Sequence, residues 1–369
     1  MNYNDYKEAS RLTNILMTLY KRGYQEKEDL AFYYKNPLKN CPRQEVRTSG
    51  STGTPVRFWC NKERIASSLS LIDIRFYQLG LNRGDVFMKF WYPTTGHTLL
   101  QILKEKLFRR LTKEKFFSYF DIAKGTKTID DFINYVNKVK PDFLEGYAGG
   151  LVAISSYIID NKIWDIHKIR TIVTGAGVVT DKQHELIERA FGCRHYDRYG
   201  CSEFGEIAHQ LGRGYYEPNP HLIIEVSDDL KHFRTLDKAR DGEYEIFITD
   251  PRNTCTLFRR YRMHDIVVVR DGHIVAVTGR TEKMYELSNG RFMPTGIFYQ
   301  AIKDFVDIHQ WQIIIKDSNI TLKTTPRILG GSERKQFEKY FGSDMTFKYE
   351  CGDFVTVGRR EKIQEIVVL

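Results

Sequence analysis

Between residues 61 and 80 the apolar positions Ile65, Leu69, Ile72, Phe76 and Leu79 recur at helical spacing and stop at Gly80. That pattern predicts an amphipathic helix closed by a glycine. Val86-Phe87-Met88-Lys89-Phe90-Trp91 is a short apolar run and predicts a buried strand. Helical spacing recurs near 98–111, 128–139 and 149–161. Ile169–Val173 reads as a strand running into the glycine turn Gly175-Ala176-Gly177, and a helix follows over 180–191 with Thr180 and Asp181 at its start. Residues 1–40 are polar and read as helical, with Lys27-Glu28-Asp29-Leu30 opening a short amphipathic piece. Strands alternating with helices predict an α/β fold with a partly parallel sheet. Ligands on such sheets bind where strands end, so the glycine turns at 175 and 200 are candidate walls of one pocket.

The texture changes after residue 222. Short strands are predicted over Leu222–Val226, Gly242–Thr249, Thr256–Arg262, Ile266–Val269 and Ile274–Val277, separated by turns such as Asp241-Gly242 and Asp271-Gly272. This is a small antiparallel region, and Gly279-Arg280 ends it. Beyond it, strands near 311–316, 320–325 and 345–350 and helices near 295–306 and 332–341 make a separate α+β unit. The expected organisation is a large N-terminal α/β domain with mixed sheets over 1–279 and a small α+β C-terminal domain over 280–369.

Composition narrows the class. With 369 residues, 41% hydrophobic and 28% charged, the chain has the balance of a soluble globular protein with room for more than one domain. Its net charge of +9 is spread along the sequence, and clusters such as Lys104-Glu105-Lys106 and Lys113-Glu114-Lys115 are broken by acids. No zinc-finger spacing or RNA-reading aromatic motif accompanies them, so no nucleic-acid partner is expected. Recruitment of an anionic substrate is the more natural use of the excess charge. The six cysteines are scattered without a C-x-x-C pair, the first residues are polar, and no apolar run reaches the length of a membrane span. A cytoplasmic location with no membrane span is the expectation.

Four motifs carry candidate chemistry. In Thr48-Ser49-Gly50-Ser51-Thr52-Gly53-Thr54-Pro55, hydroxyls and glycine-exposed backbone N–H groups suit a polyphosphate, without the G-x-x-x-x-G-K-[ST] spacing of a Walker loop. Asp197-Arg198-Tyr199-Gly200-Cys201-Ser202-Glu203 offers a ring for a purine, a carboxylate for an amine and a second carboxylate for Mg²⁺. Arg260-Tyr261-Arg262-Met263-His264-Asp265 places an aspartate between two predicted strands, suited to the hydroxyls of a ribose. Gly279-Arg280-Thr281-Glu282-Lys283 puts a cation at the domain boundary. Taken singly these are equally a surface turn, a surface acid, a β-turn aspartate and a charged linker.

In their order and spacing the four motifs resemble the adenylate-forming superfamily of acyl-CoA synthetases and adenylation domains, specifically its phenylacetate–CoA ligase and CapK-like branch. The shared features span nearly the whole chain. The resemblance implies an ATP- and Mg²⁺-dependent ligase that makes an acyl-adenylate from a carboxylic acid. The acyl group then passes to CoA, to the phosphopantetheine thiol of a carrier protein, or to an amine or hydroxyl. It assigns Thr48, Ser49, Gly50, Ser51, Thr52 and Gly53 to the β- and γ-phosphates, Glu203 to Mg²⁺, and Ser202 to the α-phosphate or the substrate carboxylate. Gly175, Ala176 and Gly177 would line the adenine face, with Tyr199 stacking, Gly200 beside it and Asp197 near the adenine amine. Asp265 would bind the ribose and Arg280 the ribose and phosphate. The small domain would be mobile about a hinge at Glu282 and bring a cation to the adenylation site, either Lys362 or Arg359. The acyl pocket would draw on Trp91, Tyr92, His97, Tyr147 and Gly149.

Two departures bear on cofactors. The phosphate loop has Thr54 and Val56 where many members of the superfamily carry lysines. Some members of the branch hold a structural zinc through a C-x-C just before the G-R pair; here that stretch is Ala276-Val277-Thr278, so zinc is not expected despite His209 and His221 nearby. A reading of a different kind is a non-catalytic nucleotide-binding relative acting as a scaffold, against which Glu203, Asp265 and Arg280 speak. The identity of the acid, the pathway and the oligomeric state are not encoded in these motifs.

Overall fold

The computed structural model describes residues 21–26, 29–30, 34, 43–47, 57–91, 113–123, 126–177, 179–212, 214–277, 284–286, 292–302, 305, 308, 310–325, 327–342, 344–352, 356–357, 362–363 and 366–368. The chain opens with β1 (Arg43–Arg47), β2 (Arg57–Asn61), α1 (Lys62–Gln78), β3 (Phe87–Trp91) and β4 (Lys115–Ser118). There follow α2 (Tyr119–Ala123), α3 (Ile129–Val139), β5 (Phe143–Tyr147), α4 (Ala148–Asp160), β6 (Thr171–Gly175) and α5 (Asp181–Phe191). A run of strands comes next: β7 (Arg194–Cys201), β8 (Gly205–Gly212), β9 (Tyr215–Pro218), β10 (Ile223–Ser227), β11 (Arg234–Thr235), β12 (Gly242–Asp250), β13 (Phe258–Arg270) and β14 (His273–Val277). The last part holds β15 (Met284–Glu286), β16 (Phe292–Pro294), α6 (Thr295–Ile302), β17 (Gln310–Lys316), β18 (Asn319–Thr325), α7 (Gly331–Glu338), β19 (Thr346–Cys351), β20 (Thr356–Val357), β21 (Lys362–Ile363) and β22 (Ile366–Val368).

The fold is mixed α/β and divides into two units, Met1–Thr48, Val56–Leu79 and Tyr196–Thr281 in the first, Ser49–Pro55, Gly80–His195 and Glu282–Leu369 in the second. In the second unit β6, β5, β3 and β4 lie side by side in parallel. Their helices wrap an apolar core in which the Phe90 and Phe132 rings meet at 4.7 Å and those of Phe117 and Phe132 at 5.3 Å. Glu145 is buried on β5, and Lys89, opposite it on β3, brings Nζ to 3.5 Å from Oε2. The predicted helix starts hold. Thr180 caps α5 and Thr128 caps α3, each in a reciprocal box with the residue three positions on. Lys140 and Gly192 close these helices in the left-handed conformation.

The same unit contains a second sheet in the order β19-β18-β17-β22, with β17 and β18 antiparallel and the other pairs parallel. Its buried core runs from Met293 to Ile366, and the partly buried side chains packed on it, Tyr285, Phe347 and Tyr349, come from the same stretch.

In the first unit the strands pair antiparallel in the order β11-β10-β12-β13-β14-β9-β8-β7. The two strands expected over Thr256–Arg262 and Ile266–Val269 are one strand, β13, bent by bulges against β12. Glu245 pairs with Ile266 but Phe247 with Arg262, so Ile246 alone opposes Met263, His264 and Asp265. Local sequence reads the interruption as a strand break, whereas extra residues on one side of a ladder are absorbed as a bulge. Arg260 and His264 take up the bend with φ of 46° and 58°.

The face of α1 also differs from expectation. Its buried side chains are Arg64, Ser68, Leu71, Arg75 and Phe76, while Leu69 stands 58% exposed. The buried stripe is therefore displaced by one position from the apolar one, because two arginines turn inward to meet acids. Arg64 Nε lies 2.9 Å from Asp250 Oδ2, and Arg75 Nε lies 3.7 Å from Glu206 Oε1. Cys60, Cys193, Cys201 and Cys351 are free thiols, and Cys255 is disulfide-bonded. No helix among the described residues is long and apolar enough to cross a membrane.

Candidate active site

The motif over 197–203 lies on β7 and the turn that follows it. Gly200, expected in a turn, is instead extended in β7, and the turn proper is Ser202–Phe204. A Cβ at Gly200 would stand 2.4 Å from the carbonyl oxygen of Gly205, so the β7–β8 hairpin closes there only without a side chain. The register slips between Tyr199 and Gly200, and such a slip redirects the side chains that flank it.

Tyr199 is half-buried, and its hydroxyl donates to Asp265 Oδ2 at 2.7 Å. Asp265 is 3% exposed and directly follows His264, the residue of β13 held at positive φ. Two bulged strands thus bring the second and third motifs together. Asp197 is also 3% exposed; its backbone N–H donates to Gln210 Oε1 at 2.8 Å and its Oδ2 accepts from the Tyr216 hydroxyl at 2.8 Å. Part of its carboxylate is therefore engaged within the protein.

Glu203 sits in the turn at 9% exposure, beside the exposed Ser202. Its carbonyl accepts from Arg64 Nη2 at 2.6 Å. Phe204 is fully buried, its ring 4.9 Å from Phe258 and 5.8 Å from Tyr261. Burial pushes the Cys201 thiol well above its ordinary range, and the neighbouring Glu203 carboxylate, which accepts from that thiol, adds to the shift. A thiol held protonated is a poor nucleophile, so Cys201 serves the turn as a donor.

The Glu203 carboxylate is chemically suited to a hard cation such as Mg²⁺. Among the described residues no three His, Cys, Asp or Glu side chains converge on a metal position. Glu203 supplies one hard carboxylate, and Mg²⁺ is commonly held by one or two carboxylates together with phosphates of the substrate. His209 is fully buried with Nδ1 2.7 Å from the Gln210 carbonyl, and His221 donates its backbone N–H to Asn219 Oδ1 at 3.0 Å.

In the second unit Gly175 ends β6, with Ala176 exposed and Gly177 half-buried in the bend after it. Ala176 holds φ at 62°, a conformation that costs an L-residue roughly 1–2 kcal/mol and is retained where the surroundings impose it. Tyr147 is 5% exposed, stacks on Tyr119 at 5.0 Å and meets the Trp91 ring edge-on at 5.7 Å; Gly149 is half-buried in the first turn of α4. The loop residues 48–54, Tyr92, His97, Arg280, Glu282 and Arg359 lie outside the described residues, as does the side chain of Lys362, whose backbone belongs to β21.

Sequence reasoning did not find Arg64, Asp250, Gln210 or Tyr216. The available signal was Arg64 in line with Ser68, Leu71 and Arg75 at helical spacing, a stripe disguised by its charge.

No family model matches the sequence. Protein CapK of Staphylococcus aureus is 27% identical over 227 residues, which cover 60% of this chain and 47% of CapK. The match thus spans about half the length of that curated relative. Among solved structures, 2-hydroxyisobutyryl-CoA ligase in complex with 2-HIB-AMP and CoA, in its thioesterification state, matches with a TM-score of 0.54 at 14% identity, over 100% of this chain and 90% of that one. The same ligase in its postadenylation state with 2-HIB-AMP gives a TM-score of 0.52 at 13% identity, over 94% and 79%. The chain has the fold of these adenylate-forming ligases.

Proposed function

We propose that this chain, built on the fold of the adenylate-forming ligases, activates a carboxylic acid with ATP and Mg²⁺ and transfers the acyl group onward. A carboxylate oxygen attacks the α-phosphorus, the bond to the pyrophosphate oxygen breaks, and acyl-AMP and pyrophosphate result. A thiol of CoA or of carrier-bound phosphopantetheine, or an amine or hydroxyl, then attacks the acyl carbon, loses its proton and releases AMP. The observation that carries the reading is the Tyr199–Asp265 hydrogen bond at 2.7 Å, which unites two distant motifs on bulged strands beside the Glu203 turn.

In this reading Asp265 holds the ribose, with its carboxylate oriented by the Tyr199 hydroxyl. The Tyr199 ring and Gly200 face the base, and Gly175, Ala176 and Gly177 supply a backbone wall. Asp197, which accepts from the Tyr216 hydroxyl, lies near the adenine amine. Ser202 contacts the α-phosphate or the incoming carboxylate, and residues 48–53 with Arg280 hold the phosphates. Glu203 would hold Mg²⁺, which offsets the charge that gathers on the phosphate oxygens when bound. Trp91, Tyr92, His97, Tyr147 and Gly149 are proposed for the acyl side. A small domain over 280–369 would turn about Glu282 and deliver Lys362 or Arg359. The apolar core that the described residues between Met293 and Ile366 form supports a domain there. The match to CapK supports the CapK-like branch, and with that branch goes either an aromatic acid or an acid used in surface-polysaccharide or secondary metabolism.

Acid-dependent exchange of labelled pyrophosphate into ATP, run against a broad panel of aromatic, short-chain, hydroxy- and amino acids, tests the proposal. At least one acid should support exchange, with Glu203→Gln and Asp265→Ala each lowering it by about 100-fold or more. Silence across the whole panel would overturn the reading.

A further inference from the structure

We infer that Arg64 is a positioning residue for Glu203, acting through the turn that carries it; the inference rests on Glu203 as the Mg²⁺ ligand proposed above. Arg64 lies in the first turn of α1 and is 4% exposed. A guanidinium taken out of water must have its donors answered, or its burial is strongly unfavourable. Here each nitrogen reaches a different segment of chain. Nε donates to Asp250 Oδ2 at 2.9 Å, Nη1 lies 3.6 Å from Cys60 Sγ, and Nη2 donates to the Glu203 carbonyl at 2.6 Å. Asp250, at 2% exposure, is itself fixed, its Oδ1 accepting from the Arg252 backbone N–H at 3.0 Å.

Stability alone does not explain this arrangement. A buried ion pair contributes little net stability compared with apolar residues of the same volume. The pair with Asp250 is complete without Nη2, yet Nη2 is aimed at the one turn that bears a candidate metal ligand. The carbonyl it holds belongs to Glu203 itself. A charge-assisted bond there fixes the peptide plane and hence the direction in which the Glu203 side chain leaves the turn. On the other side Phe204 is seated among the Phe258 and Tyr261 rings. Glu203 is therefore held between a cation on its own carbonyl and a buried ring on the next residue. Lysine keeps the charge toward Asp250 but cannot reproduce the planar fork that answers Asp250 and Glu203 together.

The test uses the full chain and reads nucleotide binding rather than turnover. ATP affinity is measured by calorimetry across a Mg²⁺ titration for wild type, Arg64→Lys, Asp250→Asn, the double change R64M/D250N, and Glu203→Gln. The expected result is that the Mg²⁺ concentration for half-maximal tightening of ATP binding rises about tenfold or more in Arg64→Lys and in R64M/D250N. ATP binding without metal stays at the wild-type value in both. Asp250→Asn, which keeps Arg64 on the Glu203 carbonyl, stays closer to wild type. The double change also guards against mere misfolding: it leaves no buried carboxylate facing a missing Arg64, so it keeps a cooperative thermal melt while its metal defect persists. Wild-type Mg²⁺ dependence in folded Arg64→Lys or in the double variant overturns the positioning role. If Glu203→Gln retains wild-type Mg²⁺ dependence, the metal-ligand reading falls, and the inference with it. If Glu203→Gln loses that dependence while the Arg64 variants keep it, only the inference falls.

Discussion

His209 shows how a single buried group sets a pH limit. Burial depresses its imidazole from 6.5 to about 3, with the positive charge of Arg198 acting the same way. The unfolded ring takes up a proton near 6.5 and the folded one holds out until about 3. Unfolding therefore gains protons across that window, and the stability present above it is lost progressively as the pH falls through it. Replacing His209 with Gln should flatten this acid limb, narrowing the loss between about pH 7 and about pH 4 by on the order of 2–3 kcal/mol in urea unfolding. Identical pH slopes in wild type and variant would show that another group governs the limb. Residue-level structure was legible in the sequence where it singled out Tyr199 and Asp265, which a hydrogen bond joins. It was illegible where a charge is used as a core residue. Arg64 and Arg75 read as solvent-facing positions, because nothing local says that Asp250 and Glu206 wait across the packing interface.

Elements with strong local signals were the ones the sequence disclosed. The Thr180 cap, the helix ending before Gly80, and β17, β18 and β19 follow from periodicity and cap chemistry. The bulges of β13 do not, since a bulge exists only against a partner strand and the register of β12 decides where the extra residues go. Gly200 was misplaced for the same reason: it serves a close approach to Gly205 rather than a reversal of the chain. The start of α7 offers a test at this scale. Glu333 accepts from both Nη atoms of Arg327 at 2.7 Å and from the Gly330 N–H at 2.7 Å, and these bonds, Arg327 first, lower its carboxyl from 4.5 to about 2. A depressed carboxyl contributes stability that is present above its unfolded value and is lost as the pH falls through the folded one. Glu333→Gln should cost about 1 kcal/mol near neutrality. In denaturant titrations its deficit should shrink as the pH drops from 4.5 toward 2. A deficit independent of pH would assign the loss to shape alone.

At the scale of the molecule, the order of four weak motifs carried the family resemblance, and the fold agrees with it. The acyl side was the least legible, because aromatic residues such as Tyr147 serve a core as readily as a pocket. Among the described residues, the apolar core of the C-terminal stretch is drawn from Met293 to Ile366. A fragment covering 282–369 is therefore expected to fold alone, with a cooperative thermal melt and dispersed amide resonances. A fragment without either would mean that this core needs the rest of the chain. The first unit is assembled differently. Gln25 inserts its backbone between Arg260 and Arg262, donating to one at 3.0 Å and accepting from the other at 2.9 Å, while its side-chain oxygen accepts from Arg259 N–H at 2.6 Å. That stitch joins positions more than two hundred residues apart. During synthesis, which adds roughly 5–20 residues each second, the early segment therefore waits on the order of ten seconds or more for the strand that receives it. The whole 80–195 stretch emerges in that interval and is free to condense first, so the strands after Tyr196 are the last part of the first unit to close. The newborn chain is then most exposed to proteolysis and aggregation at the strands that carry Tyr199 and Asp265.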